Sequence, residues 1–173
     1  MESRIAKLLQ IGIIVEDLDA TVKHYEEEYG IGPWHVGQLD TEKFPKLTVD
    51  GKPTDLVFRM AMCHCFGLEI ELIQPVSDSA YMEWLKEHGP GIHHIAVITK
   101  DPFKDVIAEH KLLTGKAPWI HAKDTGAPEG RNLEFAYLDL RKELGLFLEI
   151  YPEHVEKHHE GNIGGHAYKE TKE

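Results

Sequence analysis

Two stretches decide how this chain folds: Gln10-Ile-Gly-Ile-Ile-Val-Glu-Asp17 and His94-Ile-Ala-Val-Ile-Thr-Lys-Asp101. Set one above the other, their apolar and small positions coincide, and an Asp closes both. Self-similarity of this kind marks an internal repeat. A helical pattern follows each stretch. In the first half Leu18, Val22, Tyr25 and Tyr29 recur at helical spacing, with Asp17 as N-cap and Gly30 as stop. In the second half Phe103, Val106, Ile107, His110 and Leu113 do the same before Gly115. There Asp101 is the expected N-cap and Pro102 the first helical residue.

Strand-like runs follow each helix. They cover Trp34 to Leu39, Leu56 to Cys65 and Leu68 to Gln74, then Pro118 to Ala122, Leu133 to Leu140 and Leu146 to Tyr151. Both halves therefore read βαβββ. We expect a first module over residues 1–76, a linker helix over 77–91 with Ser79 as a cap, and a second module over 92–152. Asp40 to Pro53 reads as a loop, and Arg141 to Gly145 as a polar connection. The His-rich tail over 153–173 reads as a solvated terminus in preference to a metal-binding one.

Composition narrows the function. The chain has 173 residues, 42% of them hydrophobic, and a net charge of −11. An acidic surface disfavours nucleic acid and anionic membrane as partners. No stretch approaches the roughly 18 apolar residues of a membrane helix. No signal peptide is read, and a cytoplasmic location is expected. Cys63 and Cys65 point the same way on one strand, so they read as reduced core residues.

Alternation along the strands exposes an oddity. Glu149 lies among Phe147, Ile150 and Tyr151, and a carboxylate there needs a cation, a metal or strong donors. Gln10 and His94 each interrupt an apolar strand. Through the repeat, Gln10 corresponds to His94 and Glu71 to Glu149. If the halves pack about a pseudo-twofold axis, the four side chains converge. One imidazole nitrogen, one amide oxygen and two carboxylates suit Zn, Co, Ni, Mn or Fe(II). His93 rivals His94, and alternation places the two on opposite faces. Phe58, Met60, Met62, Phe147 and Tyr151 are candidate walls of a substrate pocket or plain core. Arg59 and Arg131 are candidate anion contacts, with a surface place favoured for Arg131. Trp34 and Trp119 recur after Pro33 and Pro118 and read as sheet packing.

These residues resemble the vicinal oxygen chelate superfamily, which includes glyoxalase I, methylmalonyl-CoA epimerase, extradiol dioxygenases and drug-resistance proteins. The resemblance covers nearly the whole chain to Pro152. It is strongest over Gln10 to Asp19, Ile70 to Pro75, Gly91 to Val97 and Phe147 to Ile150. It implies an α+β fold in which tandem βαβββ modules form a cupped, barrel-like mixed sheet around a divalent metal. The implied ligands are Gln10, Glu71, His94 and Glu149. A Gln at the first ligand position argues against the extradiol dioxygenases. The order Gln, Glu, His, Glu is similar to that of some glyoxalase I enzymes, whereas the linker helix and Gly91-Ile-His-His-Ile-Ala96 look closer to the epimerases.

The resemblance implies an isomerase or lyase that moves a proton next to a carbonyl through an enolate. Glu149 would be a ligand that doubles as base, and Glu71 its counterpart. It also implies a small-molecule substrate, a thioester among the candidates, and a homodimer. The rival reading is a non-catalytic binding or resistance protein using the same cup.

Overall fold

The computed structural model describes residues 3–40, 47–122 and 134–152. The first half contains β1 (Ile5–Ile14), α1 (Leu18–Tyr29), β2 (His35–Asp40), β3 (Leu47–Val49), β4 (Lys52–Pro53), β5 (Val57–Cys65) and β6 (Leu68–Pro75). α2 (Ala80–His88) leads to the second half. That half contains β7 (Gly91–Thr99), α3 (Phe103–Thr114), β8 (Ile120–Ala122), β9 (Phe135–Leu140), α4 (Arg141–Leu144) and β10 (Leu146–Tyr151).

The caps explain where the helices begin. Asp17 accepts a hydrogen bond from the Ala20 backbone N–H, and Gly30 ends α1 in the left-handed region. Ser79 caps α2 through Met82 N–H, as its sequence suggests. α3 departs from expectation. Its first flanking residue is Pro102, and no side chain caps it. Asp101 is drawn away by Arg4, whose Nε donates to the Asp101 carboxylate at 2.6 Å.

The ten strands of the described residues form one mixed sheet in the order β2-β5-β6-β1-β7-β10-β9-β8-β3-β4. It is open, with β2 and β4 as edges, and is the mixed sheet of an α+β fold that the sequence leads one to expect. Its centre is the antiparallel pair of β1 and β7, each flanked by a parallel partner, β6 and β10. α1 packs on one face through Leu18 against Ala61 and Leu72, and Phe103 of α3 packs against Val97 and Ile150. The largest core cluster gathers Met60, Met62, Tyr81, Tyr137 and Phe147, with Trp119 and, from α2, Trp84 and Leu85 packed against it. Burying side chains of this size supplies most of the driving force for folding.

Two details correct the sequence reading. The segment read as a loop contains the β3–β4 hairpin, which turns at Asp50-Gly51 with both residues at positive φ. An Asp-Gly turn between short strands is a hairpin signal, and Leu47 is buried as β3 pairs with β8. A chain segment of the first half therefore extends the sheet beyond the second. The polar connection at 141–144 forms the short helix α4. Among the described residues, no helix is long and apolar enough to cross a membrane.

Candidate metal and proton-transfer site

The site lies where β1 and β7 meet. Their pairing carries β-bulges at matching places. On β1 the register steps from Leu8 opposite Val97 to Gln10 opposite Ala96, leaving Leu9 extra. On β7 it steps from Ile92 opposite Ile13 to His94 opposite Gly12, leaving His93 extra. A bulge breaks the alternation of faces and re-aims side chains. Leu9 and Gln10 are accordingly both buried, as are His93 and His94.

This corrects the expectation that His93 and His94 point apart. Their Nδ1 atoms are 3.0 Å apart. His93 is caged by Tyr81, Trp84, Trp119 and Phe147, with ring centroids 4.8–5.4 Å away. Burial in this cage, and His94 beside it, hold its pKa well below the ordinary histidine value. His93 is therefore neutral and serves as the Nδ1 partner of His94.

Three of the four expected site residues touch. His94 Nε2 lies 3.3 Å from Glu71 Oε2 and 3.3 Å from Glu149 Oε2. His94 and Glu149 are almost wholly enclosed and Glu71 nearly so. One Nε2 proton cannot satisfy both carboxylates, and at these distances neither contact is a well-formed hydrogen bond. Burial alone lowers the pKa of His94, but Glu149 and Glu71 outweigh it and raise the value to about 9. Burial pushes the Glu71 carboxyl up. Burial likewise raises the Tyr151 hydroxyl, with Glu149 adding to the effect.

Gln10 shares a strand face with Gly12, against which the His94 ring sits. Its amide is turned to Glu69, to which Nε2 donates at 2.8 Å. Gln10 Oε1 is left buried without a hydrogen-bond partner, as are His94 Nε2 and Glu149 Oε2. Buried atoms without partners are rare in folded proteins and call for a ligand or ion. An amide oxygen, an imidazole nitrogen and carboxylates are chemically a divalent-metal donor set, so these residues fit such an ion. Among the described residues, no group of three or more His, Cys, Asp or Glu side chains is already spread around a vacant ion position. His94 instead contacts the two carboxylates directly.

Of the other candidates, Phe147 packs against His93. Arg59 is committed to Asp19 through two hydrogen bonds of 2.9 and 2.7 Å, and also reaches Gln74. Phe58, Met60, Met62, Phe147 and Tyr151 are buried in the main core. Trp119 stacks on Phe147 at 4.3 Å, while Trp34 packs near Tyr25 with the other core cluster under α1. Cys63 and Cys65 are free thiols. Arg131 and the His-rich tail lie outside the described residues. Sequence reasoning missed Glu69 and Gly12 and placed His93 on the wrong face. Glu69 had a visible signal, since it shares a strand face with Glu71. The bulge that brings His93 inward had none.

Residues 9–116 match the family profile described as the glyoxalase/bleomycin resistance protein/dioxygenase superfamily. The chain belongs to this superfamily, also called the vicinal oxygen chelate superfamily. Among solved structures it is similar to methylmalonyl-CoA epimerase from Mycobacterium tuberculosis. That match has a TM-score of 0.58 and 19% identity over 87% of this chain and 89% of that one. It is also similar to a Streptomyces coelicolor methylmalonyl-CoA epimerase variant in complex with 2-nitronate-propionyl-CoA. Here the TM-score is 0.57, with 23% identity over 84% of this chain and 93% of that one. A hypothetical protein from Bacillus halodurans matches at 0.55 and 23% identity, over 83% and 91% of the two chains. At these identities the likeness speaks for the fold. No curated protein sequence matches the chain significantly.

Proposed function

We propose that this protein is a metal-dependent enzyme that moves a proton at the carbon next to a carbonyl, of the methylmalonyl-CoA epimerase type. In this reading Gln10, Glu71, His94 and Glu149 hold the metal, and residues 1–76 and 92–152 act as two units joined through 77–91. The observation that carries it is His94 Nε2 held 3.3 Å from carboxylates of both β6 and β10, all three buried. A divalent ion bound there would polarise the substrate carbonyl and stabilise negative charge developing on its oxygen.

The chain's own residues supply the rest. Glu149 takes the proton from the carbon, and Glu71 is the second carboxylate, able to return it from another direction. Two carboxylates from different strands suit either inversion at that carbon or a shift of the proton to its neighbour. Burial raises the Glu71 carboxyl, which favours its holding a proton. For His94 to offer Nε2 to an ion, its proton must sit on Nδ1. Neutral His93 accepts that proton in a hydrogen bond and so favours the required tautomer.

The structural likeness to epimerases supports a thioester substrate, since one such structure is of a complex with methylmalonyl-CoA. The family resemblance supports a homodimer. A glyoxalase I type of lyase is the second reading, favoured by the amide at position 10. The test is elemental analysis of the purified protein, followed by solvent deuterium uptake into methylmalonyl-CoA and into the methylglyoxal–glutathione adduct. One divalent ion per chain with exchange into the first substrate is the expected result, and exchange only into the second would favour the lyase. No ion after reconstitution and no exchange into either would overturn the enzyme and favour a binding protein.

A further inference from the structure

Glu69 is a buried carboxyl that the proposed proton transfer does not use. It is 1% exposed and pairs in register with Gln10 across the parallel β1–β6 ladder. Its Oε1 accepts the hydrogen bond from Gln10 Nε2, and its Oε2 lies 3.1 Å from Nε2 of the half-exposed His64. Glu69 and His64 both line a cleft of about 430 Å³ that opens between β1 and the β5–β6 turn.

A glutamine is an ambiguous ligand, because its amide has an oxygen end that binds cations and a nitrogen end that repels them. Something must decide which end faces the site. We propose that Glu69, backed by His64, is the positioning residue that turns the Gln10 amide so that Oε1 faces Glu71, His94 and Glu149. The inference rests on the metal-site reading above. The arrangement works in either protonation state of Glu69. An ionised carboxylate only accepts, so it selects the NH₂ end of Gln10. A neutral carboxyl donates its one proton from Oε2 to His64, and Oε1 still accepts from Gln10.

The second half shows why a carboxyl is needed in only one place. The residue two before Glu149 on β10, matching Glu69 before Glu71 on β6, is Phe147. His94 is instead oriented by His93 through Nδ1. An imidazole needs its tautomer fixed and an amide needs its flip fixed, and each ligand has a different neighbour for the purpose.

The experiment compares Co²⁺ binding, by visible absorption with chelator competition, in the wild type, Glu69→Gln, Glu69→Leu and the exchange Gln10→Glu with Glu69→Gln. Thermal melts establish that each variant is folded. Glu69→Gln offers Gln10 both a donor and an acceptor, so Co²⁺ affinity falls by about 10- to 100-fold, and Glu69→Leu behaves alike. In the double exchange, donor and acceptor trade places while an oxygen still faces the site, so affinity returns to within a few-fold of wild type. Wild-type affinity in both single variants, with Gln10→Ala impaired, would overturn the proposal. If the wild type itself takes up no Co²⁺, the metal reading fails separately. The orientation of Gln10 is then read in the metal-free protein from its side-chain ¹⁵N–¹H₂ resonances. Slow hydrogen exchange in the wild type that collapses in Glu69→Leu sustains the contact with Glu69, and unchanged exchange overturns it.

Discussion

Gly12 leaves the space that the His94 ring fills. A Cβ on Gly12 would sit 1.8 Å from His94 Cε1 and 2.2 Å from its Nε2. No real contact is that close, so this glycine is required by the neighbour across the strand and not by its own backbone angles. The opposite relation holds one step along, where Gln10 faces Ala96, another small residue.

Gly12→Ala should therefore displace the His94 imidazole. We expect destabilisation of about 1–3 kcal/mol from overpacking, together with loss of Co²⁺ binding. Gly91→Ala is the control, because a Cβ there meets nothing within 4 Å. Urea melts and metal titration of both variants check this, and an unaltered Co²⁺ spectrum in Gly12→Ala would contradict it.

Glu149→Gln keeps the size of the side chain and removes its basicity. Proton exchange into substrate should fall by about 10²- to 10⁴-fold, the usual contribution of a positioned base. The circular dichroism spectrum should be retained. Stopped-flow or NMR exchange assays measure the rate, and full activity would remove Glu149 from the mechanism.

His93→Phe should be tolerated by the aromatic cage, whose nearest ring, Phe147, is 4.8 Å away. The substitution removes the Nδ1 partner of His94. We expect a melting temperature near that of the wild type but Co²⁺ affinity lower by about 10- to 100-fold, which isothermal titration would measure. Equal affinity would mean that the His94 tautomer is set elsewhere.

Asp139 offers a pH test away from the site. It accepts from Arg141 Nε at 2.9 Å, from the Arg141 backbone N–H at 3.2 Å and from Lys116 Nζ at 3.2 Å. The Arg141 guanidinium holds its carboxyl well below the usual carboxylate range. A depressed carboxyl contributes stability that is fully present above its unfolded value, about 3.9, and is lost as pH falls through the lower folded value. Asp139→Asn should cost about 1–2 kcal/mol at neutral pH, a modest figure because both cations are partly solvated. The gap from wild type should begin to narrow below about pH 4, the unfolded aspartate pKa, and go on narrowing as pH falls toward the folded value. Denaturant melts at pH 7 and pH 3 measure it, and an equal gap at both would show that the charge is not responsible.

Local chemistry was legible where short-range rules govern it. The caps at Asp17 and Ser79 and the stop at Gly30 follow from residue type and spacing alone. The meeting of Glu71, His94 and Glu149 was legible through the repeat. What escaped depends on partners distant in sequence. Asp101 fails to cap α3 while Arg4, just before β1, reaches it from far away in sequence. His93 turns inward because β7 bulges against β1, and a bulge is a property of the pairing, not of either strand. The Asp50-Gly51 hairpin carried a local signal, but its docking on β8 did not.

That docking limits the shape of the whole sheet. β2 and β3 are successive in the chain, yet eight strand spacings separate them in the sheet order. Laid flat at about 4.8 Å per strand, they would stand about 38 Å apart. Seven residue steps join Asp40 to Leu47, and even a fully extended chain covers only about 25 Å in that distance. The sheet is therefore obliged by its own covalent connection to curl until its far margins approach. The covalent tie works like a drawstring on the sheet, capping how far β2 and β3 can part.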